Sequence, residues 1–161
     1  MNVSLVDIVS NLFKLKIGVV YRPPSTPTEV SLELFKNLTL VAKDAPCLLL
    51  LGDFNLPCIN WQTLESSSRV GQTFLLFCSK HNLTQFVKEP TNDKHILDLL
   101  LVTITDLVLE VSNLLPLSNS DHCTVFAELN ISTEQVRNKT CKPAYSEADY
   151  ELINLYLQLL N

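Results

Sequence analysis

The 161-residue chain lacks the features that carry proteins into or across membranes. No apolar run approaches the roughly 20 residues that span a bilayer. The longest, from Cys47 to Leu51, has the length of a strand and ends at Gly52. The first ten residues contain Asp7 and no basic segment, so they do not predict a secretory signal. We therefore expect an intracellular protein with no membrane partner.

Paired cysteines are also missing. None of the five cysteines belongs to a CxxC motif, which argues against zinc-ribbon and thioredoxin-like sites. An odd number of scattered thiols without a secretory signal is typical of a reducing compartment. The cysteines are Cys47, Cys58, Cys78, Cys123 and Cys141.

The chain has no excess of basic residues and no internal repeat. A net charge of −5 argues mildly against electrostatic binding of nucleic acid by this polypeptide alone. Acidic residues gathered around a divalent cation would shift the charge in this direction, as would an ordinary acidic surface. With 47% hydrophobic and 18% charged residues, the composition is that of a globular domain.

The hydrophobic pattern predicts a mixed α/β fold. Apolar residues at helical spacing predict helices over 29–43, with Thr28 as N-cap, and over 70–81. The region 57–68 is interpreted as a loop. Strands and helices alternate at first and consecutive strands follow, which is typical of a mixed sheet. The predicted strands cover 15–21, 47–51, 84–87, 96–102, 108–114 and 123–129.

A change of character after Ser132 divides the chain. Residues 133–142 are polar and low in apolar content, as in a linker. Apolar positions then recur at helical spacing, with Ser146 as a possible cap. We predict a domain over 1–132, a linker over 133–145 and a helix over 146–161.

Asp53 and Asn55 directly follow a strand that is predicted to be buried on both faces. In a turning segment, two side chains at this spacing can point to the same side. A carboxylate there can accept a proton from water or bind a hard cation, and an amide can donate to a phosphoryl oxygen. An Asx turn after the strand is the plainer alternative.

Asp98 interrupts a strand that is otherwise apolar. A carboxylate in that setting costs several kcal/mol unless it is paired, and a histidine N–H is a natural partner. Solvation at the sheet edge is the alternative.

Asp121 and His122 lie between a polar turn and a strand. An adjacent Asp and His can supply a metal ligand and a general base, although such a pair is often only part of a loop. If these residues converge with Asp53, Asn55 and Asp98, they form a set that cleaves phosphodiesters with Mg²⁺.

Five motifs occur in the order typical of the endonuclease/exonuclease/phosphatase superfamily. The segments GDFNLP at 52–57 and INW at 59–61 resemble the apurinic-like endonucleases of non-LTR (LINE-type) retrotransposons. The tail around 145–150 resembles the linker that precedes a reverse transcriptase. The motifs are VYRPP at 20–24, GDFN at 52–55, PT at 90–91, LDL at 97–99 and SDH at 120–122.

The resemblance implies a fold and a set of roles. It implies the C-terminal half of a two-sheet β-sandwich flanked by helices, of the deoxyribonuclease-I-like type, followed by the C-terminal helix. The implied cofactor is Mg²⁺, with Mn²⁺ possible. The implied partners are DNA and the reverse transcriptase domain of the same polyprotein, in the nucleus. The resemblance implies that Tyr21 contacts the phosphate and that Asp53 and Asn55 act on the water and the transition state. It also implies that Asp98 orients His122 and that Asp121 helps to bind the metal.

The chain also departs from the family pattern. The family's N-terminal half, with an early Asn and the principal metal-binding Glu, should precede Tyr21. The segment from Met1 to Lys16 contains no glutamate. Asn92 follows Thr91 where these elements often have a basic residue. We therefore expect a DNA-nicking endonuclease that is incomplete and weak or inactive alone. The alternatives are a non-catalytic remnant or interaction fragment, and a phosphatase or phosphodiesterase of the same superfamily.

Overall fold

The computed structural model describes residues 2–9 and 14–131. Two α-helices lie among them: α1 (Thr28–Lys43) and α2 (Arg69–Lys80). A short 3-10 helix covers Thr105–Leu107. The strands are β1 (Asn2–Val9), β2 (Lys14–Tyr21), β3 (Leu48–Asp53), β4 (Ile59–Asn60), β5 (Glu65–Ser66), β6 (Thr84–Gln85), β7 (Asp98–Val102), β8 (Val108–Leu114) and β9 (Thr124–Leu129).

Five strands form the main sheet in the order β1-β2-β3-β7-β6. β2 and β3 are parallel, because α1 crosses between them and returns the chain to the same edge. The remaining pairs in this sheet are antiparallel. The predicted mixed α/β sheet is therefore confirmed.

The two helices pack on one face of the main sheet. Alternate residues of β3 and β7, including Leu50 and Leu101, point toward them and are fully buried. The ring of Phe74 from α2 contacts Phe35 of α1 and Phe54, with centroids 5.0 and 5.1 Å apart. This aromatic cluster fixes α2 above the carboxyl end of β3.

The hairpin β8–β9 packs on the opposite face. Val111 of β8 and Val125 of β9 contact a cluster that includes Leu49 and Leu100 of the main sheet. The described chain is thus layered as helices, five-stranded sheet and two-stranded sheet. The two sheets share a rim at which the chain leaves their strands. Residues from both sheets can meet at this rim, and the site lies there.

Several predicted elements are confirmed with small differences. Helix α1 begins at Thr28, so Thr28 is the first helical residue and the predicted N-cap was wrong; Pro27 takes that position without a side-chain cap. Helix α2 begins at Arg69, and Ser68 accepts a hydrogen bond from the backbone N–H of Gly71 at 3.0 Å. This Ser68 cap was not predicted.

The strands differ more from their predicted bounds. β7 begins at Asp98 and not at 96, and β6 ends at Gln85, whose side chain binds the backbone of Val87. The predicted loop over 57–68 contains the small hairpin β4–β5. β1 pairs with β2 although no element was predicted for the first ten residues. The predicted linker and helix over 133–161 lie outside the described residues.

Neither helix in the described part of the chain combines the length and the apolar character needed to cross a bilayer.

Candidate active site

Three of the predicted residues lie side by side at the ends of adjacent strands. Tyr21 of β2 is the register partner of Asp53 in β3, and Asp53 is the register partner of Asp98 in β7. Side chains of directly paired residues point to the same face of a sheet. By strand alternation this is the face that β8–β9 covers, since Leu49 and Leu100 belong to the cluster beneath the hairpin. Tyr21 remains 48% exposed, so the row opens to solvent at the rim.

Asp53 and Asn55 form a tight turn after β3. The backbone N–H of Asn55 donates to Asp53 Oδ1 at 3.0 Å, and the side-chain amide donates to Asp53 Oδ2 at 3.2 Å. Between them Phe54 is fully buried in the helix-side core. The plainer alternative, an Asx turn, is therefore present, and the same turn brings the carboxylate and the amide together.

Gly52 is required by this geometry. Its φ is +128°, a conformation that L side chains rarely adopt, and a Cβ there would lie 2.0 Å from the backbone oxygen of Val20. Only glycine lets β3 approach β2 this closely while the chain turns into Asp53.

Asp98 and His122 form the pair that the sequence predicted as one alternative. Asp98 Oδ2 lies 2.6 Å from His122 Nδ1, and the side chains are 22% and 23% exposed. The carboxylate of Asp98 accepts the hydrogen bond, so Nδ1 of His122 is the donor. The backbone N–H of His122 donates to Ser120 Oγ at 3.1 Å, which shapes the turn before β9.

The charges of the site affect one another. Burial raises the pKa of Asp53, and the nearby charge of Asp98 raises it further, while His122 and the hydrogen bonds from Asn55 oppose the shift. Burial alone would lower the pKa of His122. The hydrogen bond and the charge of Asp98, with smaller contributions from Asp53 and Asp121, outweigh burial, and the net effect raises the pKa of His122. Both groups therefore retain protons at higher pH than usual.

Asp121 is exposed and is linked to the neighbouring loop by Asn92, whose amide donates to Asp121 Oδ2 at 3.2 Å. Among residues 2–9 and 14–131, no group of three or more His, Cys, Asp or Glu side chains could hold a metal ion. These residues do not by themselves form the Mg²⁺ site that the resemblance implies. Metal binding by Asp121 stays a prediction.

Arg22, for which no role was predicted from the sequence, is only 6% exposed. Its guanidinium donates to Ser31 Oγ at 3.0 Å and to the carbonyl oxygen of Asn55 at 2.9 Å, so it links α1 to the turn after β3. Burial lowers the pKa of Arg22, and the charges of Cys58 and Asp53 oppose that shift. The sequence feature that could have identified Arg22 is its place between a strand predicted to be buried and two prolines.

Comparison with known proteins gives a family and a fold. A family model described as "Endonuclease-reverse transcriptase" matches residues 15–126. The solved endonuclease domain of TRAS1, a telomere-specific non-LTR retrotransposon, superposes with a TM-score of 0.64 at 19% sequence identity. The match covers 82% of this chain and 65% of that chain, so this chain spans less than two thirds of the other. The fold is similar to that of deoxyribonuclease-I-like endonucleases, as the resemblance implied. No curated protein matches significantly.

Proposed function

Because the chain belongs to the endonuclease-reverse transcriptase family, we propose that it contributes the DNA-nicking site of a non-LTR retrotransposon. The substrate is a phosphodiester of DNA, and the product is a nicked strand. The observation that carries this proposal is the Asp98–His122 hydrogen bond of 2.6 Å at the rim beside Asp53.

Each residue of the site has its own role in the proposed reaction. His122, oriented by Asp98, and Asp53 position a water molecule, and one of the two accepts its proton. The water oxygen bonds to phosphorus as the bond from phosphorus to a sugar oxygen breaks, and that sugar oxygen takes a proton from solvent. The raised pKa of both groups makes each of them a stronger base than an ordinary Asp or His side chain. The amide of Asn55 donates to the developing charge on the phosphorane, and Tyr21 contacts the phosphate.

Endonucleases of this family generally depend on a divalent metal. We propose Mg²⁺, with Mn²⁺ as a substitute, and Asp121 as one ligand. The described residues lack a three-ligand cluster. We therefore propose that the polypeptide alone nicks weakly or not at all, and that it acts in the nucleus beside the reverse transcriptase of its polyprotein.

The test is relaxation of supercoiled plasmid by purified 1–161 with Mg²⁺, beside His122→Ala and the control His81→Ala. His81 packs at a tilt against Phe77 of α2, with ring centroids 5.2 Å apart, and provides a histidine outside the proposed machinery. The expected result is either no nicking by the polypeptide alone, or a weak nicking activity that His122→Ala and Asp53→Ala each abolish and His81→Ala preserves. Nicking that survives His122→Ala or Asp53→Ala would remove the role assigned to that residue.

A second assay adds a polypeptide that supplies the upstream half of the family domain. A strong gain in Mg²⁺-dependent nicking is expected. No gain would favour the alternative that the chain is a non-catalytic remnant, which the missing three-ligand cluster supports. Hydrolysis of a small phosphomonoester without DNA nicking would indicate the phosphatase alternative.

A further inference from the structure

Thr91 lies in the loop between β6 and β7 and is completely buried. Among the described residues, Arg22, Ser31 and Thr91 are the polar side chains with so little exposure. A buried hydroxyl requires hydrogen-bond partners, and the identity of those partners shows what it connects.

The side chain of Thr91 binds the start of β7. Its Oγ1 accepts hydrogen bonds from the backbone N–H of Leu97 at 3.0 Å and of Asp98 at 3.1 Å. Both lone pairs of the hydroxyl oxygen are thereby used. This oxygen therefore anchors the backbone from which the Asp98 carboxylate projects, in addition to the pairing of Asp98 with Asp53 in the sheet.

The backbone of the same loop binds the segment that carries His122. The carbonyl oxygen of Thr91 accepts from the N–H of Cys123 at 2.8 Å. The side-chain amide of Asn92 donates to the carbonyl oxygen of Asp121 at 3.3 Å. Residues 91 and 92 thus contact the chain on both sides of His122.

We propose that Thr91 is a positioning residue that sets the separation of Asp98 and His122 in the phosphodiester-cleaving site, an inference that rests on the function proposed above. Its side-chain hydroxyl and its backbone carbonyl connect strands of different sheets: the hydroxyl anchors β7, and the carbonyl anchors the entry to β9. Among the described residues, the Thr91 hydroxyl is the only side-chain group of this loop that forms a hydrogen bond with the start of β7. Without it, the Asp98 carboxylate moves relative to the imidazole of His122.

The experiment compares Thr91→Val, which keeps the shape and removes the hydroxyl, with Thr91→Ser, which keeps the hydroxyl. The readout is the tautomer of neutral His122, obtained from its ring ¹⁵N chemical shifts. We expect a single Nδ1–H tautomer in the wild type and in Thr91→Ser, and a mixture of both tautomers in Thr91→Val. Ser31→Ala is the matched control, because it removes another fully buried hydroxyl that does not contact β7 or β9.

A hydroxyl that only stabilises the fold predicts a different pattern. Thr91→Val and Ser31→Ala would then both lower the melting temperature, and neither would change the tautomer. A folded Thr91→Val with the wild-type tautomer overturns the proposal, as does Thr91→Ser with a mixture. If Thr91→Val does not fold, Thr91→Cys replaces it, since its sulfur is a weak acceptor. Partial mixing is then expected, and an unmixed tautomer overturns the proposal.

The tautomer is measured without DNA, so the two proposals can fail separately. A mixed tautomer in Thr91→Val supports the positioning role even if no variant nicks plasmid, and that second result counts against the proposed function. Where nicking is measurable, Thr91→Val lowers kcat roughly 100-fold with little change in KM, because a misplaced catalytic group affects the transition state more than binding.

Discussion

The two halves of the site are built in different ways. In the turn half, Asp53 and Asn55 are two residues apart and bind each other directly. In the pair half, Asp98 and His122 are 24 residues apart and meet only because β7 and the entry to β9 reach the same rim. The turn half therefore depends mainly on local backbone geometry, whereas the pair half depends on the packing of one sheet on the other.

This difference shows where each half is vulnerable. A turn stabilised by its own side chains fails when its backbone conformation is made impossible. A pair brought together across sheets fails when a connecting contact is removed, even if both side chains of the pair are intact.

The largest effect is expected from Gly52→Ala, which acts on the turn half. The added Cβ would meet the backbone oxygen of Val20 at 2.0 Å at a φ of +128°, so the free energy of unfolding should fall by about 3 kcal/mol or more. Urea unfolding measures the loss. The control is Gly18→Ala, whose Cβ meets the flexible tip of Leu50 at 2.6 Å and should cost roughly 1 kcal/mol. Equal losses would contradict a special requirement at Gly52.

The next largest effect is expected from substitution of Arg22. This substitution tests whether the turn half is held by local contacts alone, as the hydrogen bonds between Asp53 and Asn55 suggest. Arg22→Met leaves Ser31 Oγ and the carbonyl of Asn55 without their donor and should cost about 2 kcal/mol in urea unfolding. Arg22→Lys should lose less, because it retains one donor group. Amide hydrogen exchange at Asn55 should be faster in Arg22→Met. Unchanged exchange would mean that the turn needs no outside support.

A smaller effect is expected from Asp98→Asn, which acts on the pair half. It removes the hydrogen bond and charge that raise the pKa of His122 and leaves the burial that lowers it, so the NMR titration midpoint should fall. A raised folded pKa means that the pair stabilises the protein below the unfolded value near 6.5 and stops doing so as pH rises through the folded pKa. The wild type should thus exceed Asp98→Asn in stability more at pH 6 than at pH 8.

Asp121→Asn is the matched control for this titration, since Asp121 is the smallest of the named contributions to the raised pKa of His122. A midpoint that falls as far in Asp121→Asn as in Asp98→Asn would assign the shift to general negative charge and not to the pair.

The smallest effect is expected from truncation after Ser132. The last described strand ends at Leu129, and neither half of the site uses a later residue among those described. The melting temperature should change by less than about 2 °C. A collapse of the melting transition would show that residues 133–161 stabilise the domain.

Much of the fold and of the site could be predicted because the signals are local. Alternation and helical spacing depend on the burial of neighbouring residues, and they predicted β2, β3, β8 and both helices closely. A carboxylate in an apolar strand predicted a paired Asp98 as one of two alternatives, and His122 is its partner. The order of the short motifs predicted the family, and the family model that matches residues 15–126 then confirmed it.

The remaining features depend on contacts between distant segments. Sequence spacing does not reveal that β1 pairs with β2, that Arg22 donates to the turn at Asn55, or that Thr91 connects β7 to β9. An arginine or threonine in a loop has the same local pattern whether it faces water or a buried carbonyl. The sequence alone therefore determined most of the elements, the family and the chemical groups. Only the tertiary structure decided which groups meet, because hydrogen bonds of buried polar groups form wherever packing brings donor and acceptor together.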